Sequence, residues 1–136
     1  MRKFGYPNYG DVVPSALVID PDAQLRGALR RLLSSPQLRV ELASNTEEPM
    51  PLAGPGRSID VVICEHHLSG AKGFDFLTAL GASHPRIGRV LYTADHLFAA
   101  TVQSAPFAVL VKPVPGQVLK QVVYRLLARG EEPAFW

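Results

Sequence analysis

The chain has 136 residues, of which 47% are hydrophobic and 19% charged, enough apolar material for one core, too little length for two domains, and too little charge for a wholly disordered chain. Fourteen Lys and Arg against twelve Asp and Glu leave a net charge of +2 with no dominant basic block, so nucleic-acid binding has little electrostatic support and is not expected. The apolar runs are all shorter than the ~20 residues a bilayer-spanning helix needs, and the opening MRKFGYPNYG lacks the apolar centre of a signal peptide. No membrane partner and a cytoplasmic location are therefore expected.

Residues 1–14 mix Gly, Pro and aromatics without a period of two or of 3.6, and read as an irregular arm ahead of a domain over 15–129. ALVID (16–20) is a short apolar strand. Behind it, Leu25, Ala28, Leu29, Leu32 and Leu33 recur at helical spacing through PDAQLRGALRRLLSS. Asp20, Pro21 and Asp22 suit the start of that helix: Asp caps, Pro is favoured at the first helical position, and acids in the first turn complement the dipole. Arg26, Arg30 and Arg31 read as its solvated face.

LRVELA (38–43) alternates as a second strand, but SNTEEPMPLAGPGRS carries three prolines and two glycines, so any helix there is short or broken. IDVVIC (59–64) is a continuous apolar run, the pattern of a central parallel strand covered on both faces. Cys64, the single cysteine, has no internal disulfide partner and reads as a small core residue. A helical stripe in GFDFLTALG (73–81) ends near Gly81. RVLYT (89–93) is the fourth strand, ADHLFAATVQSA (94–105) the fourth helix with Asp95 as a cap, and FAVLV (107–111) the fifth strand. After KPVPG, a fifth helix over 117–129 presents Val118, Leu119, Val122, Val123, Leu126 and Leu127 on one broad stripe. Val123 and Leu127 lie at its edge and could face either core or partner. GEEPAFW (130–136) is read as a loose tail.

Strands alternating with helices imply an α/β, doubly wound parallel sheet with helices on both faces. In such folds ligands bind beyond the carboxyl ends of the strands, and four polar residues fall at those ends: Asp20, Glu65, Thr93 and Lys112. His66 and His67 follow Glu65, but adjacent histidines rarely ligate one ion and no Cys or further His is read at ligand spacing, so they read as ordinary loop histidines.

Through LVIDPD, DVVICEHHLSGAKGFDFL, VLYTAD and VLVKPV the chain resembles, over residues 15–129, the receiver domain of bacterial two-component response regulators. The resemblance implies a flavodoxin- and CheY-like fold of five strands in order 2-1-3-4-5. It also implies a site in which two acids after the first strand and an Asp after the third hold magnesium, that third-strand Asp accepts a phosphoryl group from a kinase, and a hydroxyl and a lysine hold the phosphoryl oxygens. Asp20, Thr93 and Lys112 fall on matching positions, Pro113 on one where the family has a cis bond, and Gly73 and Leu68-Ser69-Gly70 on its turn.

Pro21 stands where the family has its second acid, with Asp22 the remaining neighbour in the acidic pocket, and Glu65 stands at the phosphoacceptor position. An added methylene moves a carboxylate by about 1.5 Å, and a misplacement of roughly 1 Å can cost ~100-fold in rate. Magnesium binding is therefore expected to be weak or absent, with no other cofactor, no enzyme activity and no phosphotransfer. Glu65 is expected to pair with Lys112 beside Thr93. Val109 occupies the position of the family's switching aromatic, so the usual coupling of site to surface is missing. The implied function is a receiver that acts as a protein-interaction module. Its partner would be a kinase, an effector or a second copy, met through the face of the fourth helix, fifth strand and fifth helix. The alternatives are phosphorylation at Asp20 or Asp22, or a flavodoxin-like ligand site, although no phosphate-binding loop follows ALVID.

Overall fold

The computed structural model describes residues 13–47 and 58–129. The tail over 130–136, all but two residues of the arm, and most of the proline-rich stretch lie outside the described residues. The elements are β1 (Ser15–Ile19), α1 (Ala23–Leu33), β2 (Arg39–Ala43), β3 (Val61–Cys64), α2 (Gly73–Ser83), β4 (Gly88–Thr93), α3 (His96–Thr101), β5 (Ala108–Val111) and α4 (Gly116–Arg129). The five strands are parallel in the order β2-β1-β3-β4-β5.

Side-chain alternation along the strands divides the core in two. Ala16, Val18, Val61, Ile63, Val90 and Tyr92 pack under α1 and α4, while Leu17, Ile19, Val62, Cys64 and Leu91 pack under α2 and α3. β3 lies between β1 and β4, and all four of its residues are buried, which is why its sequence is apolar without alternation. Cys64 is a core residue whose thiol burial holds protonated. β5, like β2, is an edge strand; three of its residues are partly covered and Val111 is exposed.

Several sequence expectations need correction. Pro21 is not the first helical residue, because Asp22 is the N-cap: its Oδ1 accepts from the N–H groups of Gln24 and Leu25 at 2.9 and 3.3 Å. The helix near Gly81 runs on to Ser83. The Arg89 guanidinium lies over Gly81, where a Cβ would stand 2.1 Å from Nη1. The fourth helix is shorter than 94–105 because the chain tightens after Thr101 into three-residue turns, with Val102 N–H bonded to Ala99 O and Ala105 N–H to Val102 O. On α4, Val123 and Leu127 are core, whereas Val118 is 37% exposed. The helix is rotated so that Leu119, Val123 and Leu127 form the buried line, a phase that the width of the stripe alone does not fix.

Candidate functional site at the carboxyl ends of the strands

Ladder hydrogen bonds continue one residue past the strands and fix the backbone of the polar residues there. Asp20 N–H bonds to Ala43 O at 3.0 Å, Glu65 N–H to Ile19 O at 2.9 Å, and Lys112 N–H to Thr93 O at 2.8 Å. Asp20, Glu65 and Thr93 are buried. A group held this way has little freedom to turn towards water, so its charge must be met inside the protein.

Lys112 meets it. Its Nζ lies 2.7 Å from Asp20 Oδ2 and 2.7 Å from Glu65 Oε1, and 5.7 Å from the centroid of the Tyr92 ring. The remaining carboxylate oxygens also have donors: Asp20 Oδ1 accepts from Asp22 N–H at 2.9 Å, and Glu65 Oε2 from His67 N–H at 2.9 Å. Burial alone would raise the Glu65 pKa, but the bonds from Lys112, the Thr93 hydroxyl and His67 N–H, with the Lys112 charge, hold it below its ordinary value. Burial likewise works against charge on Lys112, and the two carboxylates outweigh it and raise its pKa. Both partners are therefore ionised at neutral pH.

The Lys112–Pro113 peptide bond is cis. Gly73 N–H bonds to His66 O at 2.9 Å, and a Cβ at Gly73 would stand 1.9 Å from Glu65 O. Glycine is needed there so that the start of α2 can press against the Glu65–His66 backbone. The carboxylate of Asp22 is spent on capping α1, so Asp22 contributes its N–H to the crevice and not its charge. Val109 packs on the α2–α3 side of the sheet.

Three features escaped the sequence. His67 Nε2 lies 2.6 Å from Asp95 Oδ2, joining the loop after β3 to the cap of α3; the same Asp95 accepts from Phe98 N–H through Oδ1 at 2.9 Å. His66 is buried and stacks on Phe98 at 3.8 Å between centroids, and burial, then the charges of His67 and Lys72, lower its pKa. Arg26 is no freely solvated helix residue: its Nη1 donates to Asp20 O at 2.6 Å. The only sequence signal for His67–Asp95 was that both follow neighbouring strands.

The model for the response regulator receiver domain matches residues 16–124. The chain belongs to this family. Among curated proteins, this receiver domain is 30% identical over 122 residues to the transcriptional regulatory protein AfsQ1 of Streptomyces coelicolor, covering 88% of the chain and 53% of that protein. It is 26% identical over 125 residues to the hydrogenase transcriptional regulatory protein HoxA of Cupriavidus necator, covering 88% of the chain and 26% of that protein. The chain thus spans about half or less of the length of these relatives. A response regulator receiver domain protein from Clostridium thermocellum superposes with a TM-score of 0.73 at 25% identity, over 86% of this chain and 96% of that one. No helix among the described residues is long and apolar enough to cross a membrane.

The family's magnesium can be tested against the donor set. A hard divalent cation needs carboxylate oxygens free to approach at about 2.1 Å in octahedral array. Here the second acid is Pro21, all four oxygens of Asp20 and Glu65 already accept from protein donors, and the Lys112 ammonium lies between the two carboxylates. No group of three or more His, Cys, Asp or Glu among the described residues could hold a metal. The residues present do not fit the ion.

Proposed function

We propose that this receiver domain takes no phosphoryl group and serves two-component signalling as a protein-interaction module. The observation that carries the reading is the bridging of Asp20 and Glu65 by Lys112 at 2.7 Å to each. An incoming phosphoryl group needs an in-line approach to an unencumbered oxygen and a cation to spread its charge. Lys112 supplies one positive charge, already shared between two carboxylates. Breaking that sharing would leave a buried anion without its partner.

The interaction surface in this reading comprises α3, β5 and α4, the fourth helix, fifth strand and fifth helix of the sequence reading. Each contributes a large apolar side chain to solvent: Leu97 is 73% exposed, Val111 36% and Val118 37%. Val109 in place of a switching ring supports constitutive binding rather than binding gated by the crevice. A kinase, an effector or a second copy would meet this face. The test is incubation with acetyl phosphate and magnesium, followed by intact-mass measurement, beside affinity capture by Leu97→Ser/Val118→Ser. An unchanged mass with partner capture lost in the double variant is the expected result. A phosphoryl adduct, or capture indifferent to both substitutions, removes the reading.

A further inference from the structure

At the opposite end of the sheet, where β4 and β5 begin, an open cavity of about 670 Å³ is lined, among the described residues, by four arginines and no acidic residue. Arg86 precedes β4, Arg89 lies within it, and Arg125 and Arg129 stand one turn apart at the end of α4. Gly88 and Thr93 bound β4, so this cavity is roughly 16 Å from the crevice along the strand. Arg86, Arg125 and Arg129 are exposed. Arg89 is fixed: Nη1 donates to Leu77 O at 3.0 Å, Nη2 to Pro106 O at 3.4 Å, and its Cζ lies 5.1 Å from the Phe107 ring centroid. Phe107 and Leu126 supply an apolar wall.

Four guanidinium groups around one concavity repel one another, and the C-terminal carbonyls of α4 offset that only in part. The arrangement gains most from an anion, and the planar fork of Arg suits phosphate oxygens. The volume lies in the range of small-molecule sites, well above the size of an inorganic ion, and half-apolar walls favour a ligand with a ring. We propose that this cavity binds a nucleotide, its phosphates on Arg86, Arg125 and Arg129 and its base against Phe107 and Leu126. The site goes beyond the interaction reading and uses none of Asp20, Glu65, Thr93 or Lys112, so a phosphoryl adduct in the crevice would leave it standing. Because α4 also carries Val118, an occupied cavity would steady one element of the interaction face.

The test is calorimetric titration of the full chain with ADP and GDP at physiological salt, with pyrophosphate and hexaglutamate as comparison ligands. At least one nucleotide is expected to saturate at one per chain, about tenfold or more tighter than either comparison ligand. Arg125→Ala/Arg129→Ala is expected to weaken it at least about tenfold, the loss of a good charge-assisted contact, with an unchanged circular dichroism spectrum. Should that variant fold poorly, Arg86→Ala carries the same expectation. Failure of both nucleotides to saturate at millimolar concentration, undiminished binding by the variants, or equal affinity for pyrophosphate or hexaglutamate would overturn the proposal.

Discussion

The two ends of this sheet handle charge in opposite ways. Beyond the carboxyl ends of the strands, Asp20 and Glu65 are drawn inside and share Lys112 at 2.7 Å each, with backbone N–H groups of Asp22 and His67 on their other oxygens. Beyond the amino ends of β4 and β5, four arginines surround a cavity with no acid among the described residues of its lining. A buried charge must find its partner within the fold, whereas an exposed one is tolerated by water until a ligand arrives. The same α/β scaffold therefore holds one crevice whose carboxylate oxygens all have donors within the fold and one cavity lined by like charges. In the family resemblance this crevice is the place for cation and phosphoryl group, and in the proposed reading filling it from within removes that chemistry while the architecture stays.

The largest way to break this contrast is Lys112→Met. It strands two neighbouring buried carboxylates, and a loss of about 3–5 kcal/mol is expected, measured by urea denaturation near neutral pH. Gly73→Ala should follow at about 1–3 kcal/mol or more, because its Cβ would enter the Glu65 carbonyl and push the loop off the crevice; Gly73→Ser should be no better. Asp22→Ala removes the α1 cap and is expected to cost about 1 kcal/mol, read as a lower thermal midpoint. At the other end, Arg125→Ala should change stability by less than about 0.5 kcal/mol, and at low salt the change should be towards greater stability as repulsion is relieved. A large loss there, or a small one at Lys112, would dissolve the contrast.

Acidity sharpens it further. His66 and Glu65 both have folded pKa values below their ordinary ones. The unfolded chain then binds more protons, and stability falls as pH falls. His66 acts first, below about pH 6.5, and Glu65 below about pH 4.3. Lys112, with its raised pKa, stabilises below about pH 10.4 and loses that contribution as pH rises through its folded value. Glu65→Gln should flatten the acid limb of a stability-against-pH curve measured by urea denaturation.

The strands were legible because burial on both faces demands apolar runs such as VVIC, and the crevice because the fold places every strand's carboxyl end at one edge. Asp20, Glu65, Thr93 and Lys112 could be located without coordinates. What stayed hidden depends on rotation or on loop meeting loop. Which of Val118 and Val123 faces the sheet is a matter of helix phase. Gly81 lies inside α2, with the Arg89 guanidinium from another element beside it. His67 meets Asp95 across 28 residues, and the arginine cavity joins residues of β4 to others on α4, a clustering that no local motif announces.

The most direct measurement is the intact mass of the full chain after incubation with acetyl phosphate and magnesium. The ion-paired crevice predicts an unaltered mass in the native protein. A phosphoryl group found on Glu65 or Asp20 of the native chain would contradict the account.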